Sequence, residues 1–189
     1  ERMNPEFSRD IEDAMLESYK NLPKLPGKTL FIVDVSGSMG SLTSGNSQFN
    51  RMDQACAMAM LAINQCGDYE LVATAGSDAA RKQASEHIKC PQKGFGVFNQ
   101  IMETRNRIGG GGIFTKQCLD WCRNQFKGTK FDRIIIFSDS QDIDFNYNKS
   151  ILPEPFGQYN YICDVSANTR GVNYSCLLYT SDAADDSLR

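Results

Sequence analysis

Two rhythms of apolar and polar residues alternate along the chain. KTLFIVDV, residues 28–35, is apolar at consecutive positions, the pattern of a strand covered on both faces. RMDQACAMAMLAINQC, residues 51–66, repeats small and apolar residues at three- and four-residue spacing. That predicts a helix with Met52, Ala55, Cys56, Ala59, Ile63 and Cys66 facing inward and Asn50 as its N-cap. YELVATAG, 69–76, predicts a second strand, while the polar, mixed stretch 77–93 reads as loop with a short helix. FNQIMETRNRI, 98–108, and TKQCLDWCRNQF, 115–126, predict helices on either side of a glycine run at 109–112. DRIIIFSD, 132–139, and NYICDVS, 160–166, predict two further strands. Upstream, SRDIEDAMLESYKNL, 8–22, carries Ile11, Met15 and Leu22 at helical spacing behind a Ser8 cap, and PKLPG then breaks the chain. Strands alternating with helices predict an α/β fold, a doubly wound, mostly parallel sheet flanked by helices. Ligand sites in such sheets form at the carboxyl ends of the strands, where Asp34 and Asp139 both stand.

Composition narrows the function classes. At 189 residues the chain suits one well-buried domain, and 41% hydrophobic with 23% charged residues is ordinary for a soluble protein. No apolar run approaches the roughly 20 residues of a membrane helix. No secretory leader opens the chain, and its start at Glu1 is read as a truncation. The net charge of −3 argues against a stand-alone nucleic-acid binder. Seven scattered cysteines, an odd number, predict reduced thiols and a cytoplasmic setting. Cys118 and Cys122 share a helix face, and core packing is a better account of them than half a zinc site.

Three segments offer hard oxygen ligands. Asp34, Ser36 and Ser38 alternate with Val35 and Gly37 directly after the first strand; Thr115 follows the glycine run; Asp139 ends the strand IIIFSD. Gathered at one sheet edge, they make two carboxylates and three hydroxyls, a donor set suited to Mg²⁺ or Mn²⁺ with waters completing an octahedron. Neutral hydroxyls leave such an ion electrophilic, so an open position can accept a carboxylate or phosphate oxygen from a partner. Taken singly, each residue has a plainer role as helix cap or turn former. Taken together at successive strand-to-helix turns, they point to a metal site.

DVSGSM, the Thr after a glycine run, and FSD resemble the metal-ion-dependent adhesion site of von Willebrand factor A domains. The resemblance implies that Ser36, Ser38 and Thr115 are metal ligands, with Asp34 and Asp139 acting directly or through waters. LPGKTLFIVDVSGSM, ACAMAM, ATAGSD, GGGGIFTKQCLDW and RIIIFSDSQD further resemble the A domain of Ro-type ribonucleoproteins. In that family a ring of helical repeats, shared with telomerase and vault proteins, precedes the A domain and binds small non-coding and misfolded RNAs. The resemblance implies that residues 1–26 end such a module and its linker, that 27–174 are the A domain, and that the RNA-binding ring lies outside this chain. After GVNY the family continues with a last strand and helix. Residues 175–189 instead lack any trusted period and read as a non-native tail, the translation of a sequencing adapter, with a divergent native tail as the alternative. Subtracting the −2 of that tail leaves a body of −1.

The function these features imply is a non-catalytic, metal-dependent binding module within an RNA-handling protein. The alternatives are a generic adhesion-type A domain and an Mg²⁺-dependent hydrolase. The hydrolase needs a base or second metal that only Asp142 and Asp144 could supply by turning inward. His87, the one histidine, reads as a surface residue without a nucleophile spaced to it. Arg81, Lys82, Lys89, Lys93, Arg105 and Arg107 read as a solvated basic face, and Trp121 as packing.

Overall fold

The computed structural model describes residues 13–14, 17–18, 20–43, 47–89, 94–144, 148, 153–166 and 179–181. Its strands are β1 (Leu25–Asp34), β2 (Cys66–Ser77), β3 (Lys82–His87), β4 (Arg133–Ser138), β5 (Tyr159–Asp164) and β6 (Tyr179–Ser181). The helices are α1 (Arg51–Gln65), α2 (Phe95–Ile108) and α3 (Thr115–Gln125), with a single 3₁₀ turn at Gly37–Gly40. One sheet holds all six strands in the order β3-β2-β1-β4-β5-β6. Every pairing is parallel except β2 with β3. This is the mixed, mostly parallel α/β sheet that the alternating pattern predicts.

The central strand explains its own composition. From Leu30 to Asp34 every residue of β1 is buried, because alternate side chains enter two different cores. Phe31 and Val33 join the core under α1 and α2, with Met52, Ala55, Cys56, Ala59, Ile63, Val97 and Ile101. Leu30 and Ile32 join the core under α3, with Cys118, Leu119, Cys122, Ile134 and Ile136. Cys118 and Cys122 are therefore packing residues, and Trp121 lies against the same cluster. The inward face expected of α1 is the buried one, and Asn50 caps it in a reciprocal box with Asp53.

Three expectations are corrected. Residues 82–87 form neither loop nor helix but the antiparallel edge strand β3, registered from Ser77↔Lys82 to Val72↔His87. Its polar side chains carry no period-2 signal because an edge strand needs only one partially covered face. His87 is not freely exposed at the surface but half-buried: its side chain is 18% exposed, it shares a 2.8 Å hydrogen bond with Glu70, and its ring meets Phe126 edge-on at 5.0 Å. The sheet also does not stop at β5, since Tyr179–Ser181 pair in parallel with Tyr161–Cys163. Of the helix expected at 8–22, the described residues 13–14 and 17–18 are helical; Ser8, Ile11, Met15, Cys90, Lys93, Cys176 and the tail apart from 179–181 lie outside the described residues. No helix among the described residues is long and apolar enough to cross a membrane.

Candidate metal centre

β1 and β4 lie side by side and in parallel, so their carboxyl ends bring Asp34 and the Ser138–Asp139 pair to one edge. Asp34 does not cap a helix. Its Oδ1 accepts the Ser36 amide at 2.8 Å, closing a side-chain turn, and its Oδ2 accepts the Ser138 hydroxyl at 2.6 Å. The turn folds the next residues back so that the Ser36 and Ser38 hydroxyls stand 3.2 Å apart. Two neighbouring ligands of an octahedral ion at about 2.1 Å would lie roughly 3 Å apart, so the spacing fits one cation shared by both. Asp34, Ser36 and Asp139 are fully buried and Ser38 half-buried.

The glycine run is a strap. The Gly37 amide donates to the Gly111 carbonyl at 2.9 Å, tying the serine loop to the segment that leads into α3. Gly111 also lies against β2: a Cβ there would sit 1.8 Å from the Gly76 carbonyl oxygen. The backbones touch only because no side chain intervenes. The strap delivers Thr115, buried, to the first position of α3, four residues on from its anchor. Asp78 fastens the same strap by accepting the Gly112 amide at 2.7 Å.

Thr115 is not the cap of α3. Asp142 and Asp144 do that work from the segment after β4: Asp142 Oδ1 accepts the Thr115 amide at 3.4 Å, and Asp144 accepts the Gln117 amide at 3.3 Å and the Gln117 side chain at 2.9 Å. Both acids are buried, so they do turn inward, toward the positive end of a helix.

Asp139 has a partner that the sequence reading missed. Arg51, the first residue of α1, reaches across with Nη1 to Asp139 Oδ2 at 2.7 Å, while Asp139 Oδ1 accepts the Gln141 amide at 3.3 Å. A signal was available: a cation in the first turn opposes the helix dipole, which suggests a partner off the helix. Ser138 was also missed as a donor to Asp34, although the serine of FSD stands beside Asp139 in every reading of the strand end.

Burial pushes the Asp34 carboxyl up to about 7, with the nearby charge of Asp139 adding to the rise and hydrogen bonds from Ser138 and Ser36 opposing it. Arg51 pairs with Asp139 alone, whereas among the described residues Asp34 is met by a hydroxyl and an amide and by no cationic side chain, so a divalent cation would find a carboxyl without a counter-ion and only oxygen donors. The residues fit Mg²⁺ or Mn²⁺: Ser36, Ser38 and Thr115 would supply hydroxyls, Asp34 and Asp139 carboxylates. Among the described residues no three His, Cys, Asp or Glu side chains cluster as metal ligands, so any metal here depends on hydroxyls. Of the basic residues, Arg107 pairs with Glu86 on the exposed face.

A solved structure, the Ro (RSR) protein of Deinococcus radiodurans, superposes with a TM-score of 0.59 at 14% sequence identity. The match covers 96% of this chain and 37% of that one, so the chain spans little more than a third of the protein it resembles. At that identity the likeness is one of fold. No family model and no curated protein matches the sequence.

Proposed function

We propose that this chain is a metal-dependent binding module of the von Willebrand factor A type, belonging to a Ro-like ribonucleoprotein that handles small non-coding or misfolded RNA. The observation that carries the metal reading is the pair of hydroxyls 3.2 Å apart beside two buried carboxylates at the carboxyl edge of the sheet. The fold likeness to a Ro protein supports the wider assignment. In this reading Mg²⁺ or Mn²⁺ binds weakly, because few ligands are charged and several waters remain, and an open position takes a carboxylate oxygen from a protein partner. Leu42 and Phe49, 54% and 68% exposed on the loop leading to Arg51, favour such a partner by offering apolar surface nearby. The module itself is not an enzyme and works in the cytoplasm. A hydrolase would need a general base, and Asp142 and Asp144 are engaged by α3 amides.

Calorimetric titration with Mn²⁺ tests the site: the intact chain binds, and Asp34→Ala combined with Ser36→Ala abolishes binding. Equal heats from both would remove the assignment. RNA contact belongs to the ring outside this chain, so filter binding at physiological salt yields only nonspecific affinity, about 10⁻⁴ to 10⁻⁶ M and falling steeply with salt. Tight, salt-resistant, sequence-selective binding would overturn that part.

A further inference from the structure

We infer that Arg51 is a built-in competitor of the metal, a tethered cation that holds Asp139 and sets how tightly a divalent ion can bind. This rests on the metal reading above. The guanidinium grips Asp139 Oδ2 at 2.7 Å with the carboxylate fully buried and the arginine side chain only 12% exposed. Its position is fixed from behind. The Arg51 amide donates to the Ser41 carbonyl at 3.0 Å, and the Asn50–Asp53 capping box locks the start of α1 on either side of it. The arginine therefore stands between the serine loop and the end of β4, the two segments that carry the proposed ligands.

Among the described residues, Asp139 is the one hydrogen-bond partner of its guanidinium. A cation at this helix end opposes the dipole. The Nε atom is buried without a hydrogen-bond partner, so the side chain is not held there by a saturated network. The ion pair with Asp139 is what compensates both costs. A divalent ion drawn to the same carboxylate would meet a fixed positive charge at short range in a buried site, where screening is weak. Metal and guanidinium thus divide one carboxylate, and the ion gains Asp139 fully only as Arg51 loosens.

The test is a Mn²⁺ titration of the intact chain and of Arg51→Gln, Arg51→Lys and Ser36→Ala. Arg51→Gln removes the charge and tightens binding about tenfold or more. Arg51→Lys keeps the charge and stays within about threefold of the parent. Unchanged or weaker binding by Arg51→Gln overturns the inference, as does equal tightening by Arg51→Lys, which would make geometry rather than charge the cause. Arg51→Gln leaves a buried carboxylate without its counter-ion and can fail to fold alone. In that event millimolar Mn²⁺ restores a cooperative melt, and failure to restore it counts against the inference equally. Ser36→Ala separates the two levels. If it binds Mn²⁺ as the parent does, or if no variant binds, the metal reading itself falls. If it weakens binding while Arg51→Gln leaves it unchanged, only the role of Arg51 falls.

Discussion

Asp142 and Asp144 follow Asp139 in the segment after β4, and all three are buried, yet their surroundings differ in kind. The later pair faces the amides of Thr115 and Gln117 at the start of α3, so backbone dipoles that cannot move away satisfy it. Asp139, together with Asp34, faces a hydroxyl, turn amides and one arginine side chain. Side chains can rotate away in favour of another ligand, whereas helix amides cannot. In the metal reading this sets Asp142 and Asp144 apart as structural acids; within SDSQDID only Asp139 is marked in the sequence, by its place at the end of a strand.

The strap holds both regions in place, and breaking it has the largest effect. Gly111→Ala puts a methyl into the Gly76 carbonyl and costs about 3 kcal/mol or more, read as a large drop in the midpoint of the denaturant transition. A melt like the parent's would mean that the strap yields.

Next comes a difference in pH response. Asp34 titrates at about 7 in the folded chain against an ordinary 3.8, so the folded state holds its proton more tightly than the unfolded one. That contribution to stability is present in full below pH 3.8 and is lost as pH rises to about 7. The change converts to at most ~4 kcal/mol, less where the site relaxes or admits water. Asp34→Asn flattens the profile across that window, as does saturating Mn²⁺. Melts at closely spaced pH values check both. Identical profiles for the parent and Asp34→Asn would put the two acidic regions on the same footing.

Asp142→Ala removes a cap and costs about 1 kcal/mol in denaturant melts without changing Mn²⁺ affinity. A change in that affinity would merge the two regions into one site. The smallest effect is expected farthest from both. A chain ending at Tyr174 loses β6 and stays within about 0.5 kcal/mol of the parent. A loss of several kcal/mol would make the β6 edge integral to the sheet and would overturn the non-native reading of residues 175–189.

The parallel core was legible because the strands entering two cores leave continuous apolar runs: FIVDV and RIIIF could be read without knowing their partners. β3 was not, since KQASEH owes its strand state to pairing with β2 and carries no pattern of its own. At the site, the spacing of Asp34, Ser36 and Ser38 was informative because a side-chain turn is local. The ion pair of Arg51 with Asp139 spans 88 positions, and pairing at that distance leaves only the indirect trace of a cation at the wrong end of a helix. The glycine run shows in the sequence only as a break between two helices. Its use as a backbone-to-backbone contact depends on Gly37 and Gly76, which lie in other segments.

The two margins of the sheet differ in how readily they accept another chain. β3 presents Lys82 and Glu86 along its rim, charges that discourage a second strand from adding there. At the opposite margin β6 covers β5 only at Tyr161, Ile162 and Cys163, and among the described residues Tyr159, Asn160 and Asp164 have no strand partner on that side. Among the described residues the β3 rim is therefore the better guarded of the two, and a second copy of this chain meets more electrostatic resistance there than along β5.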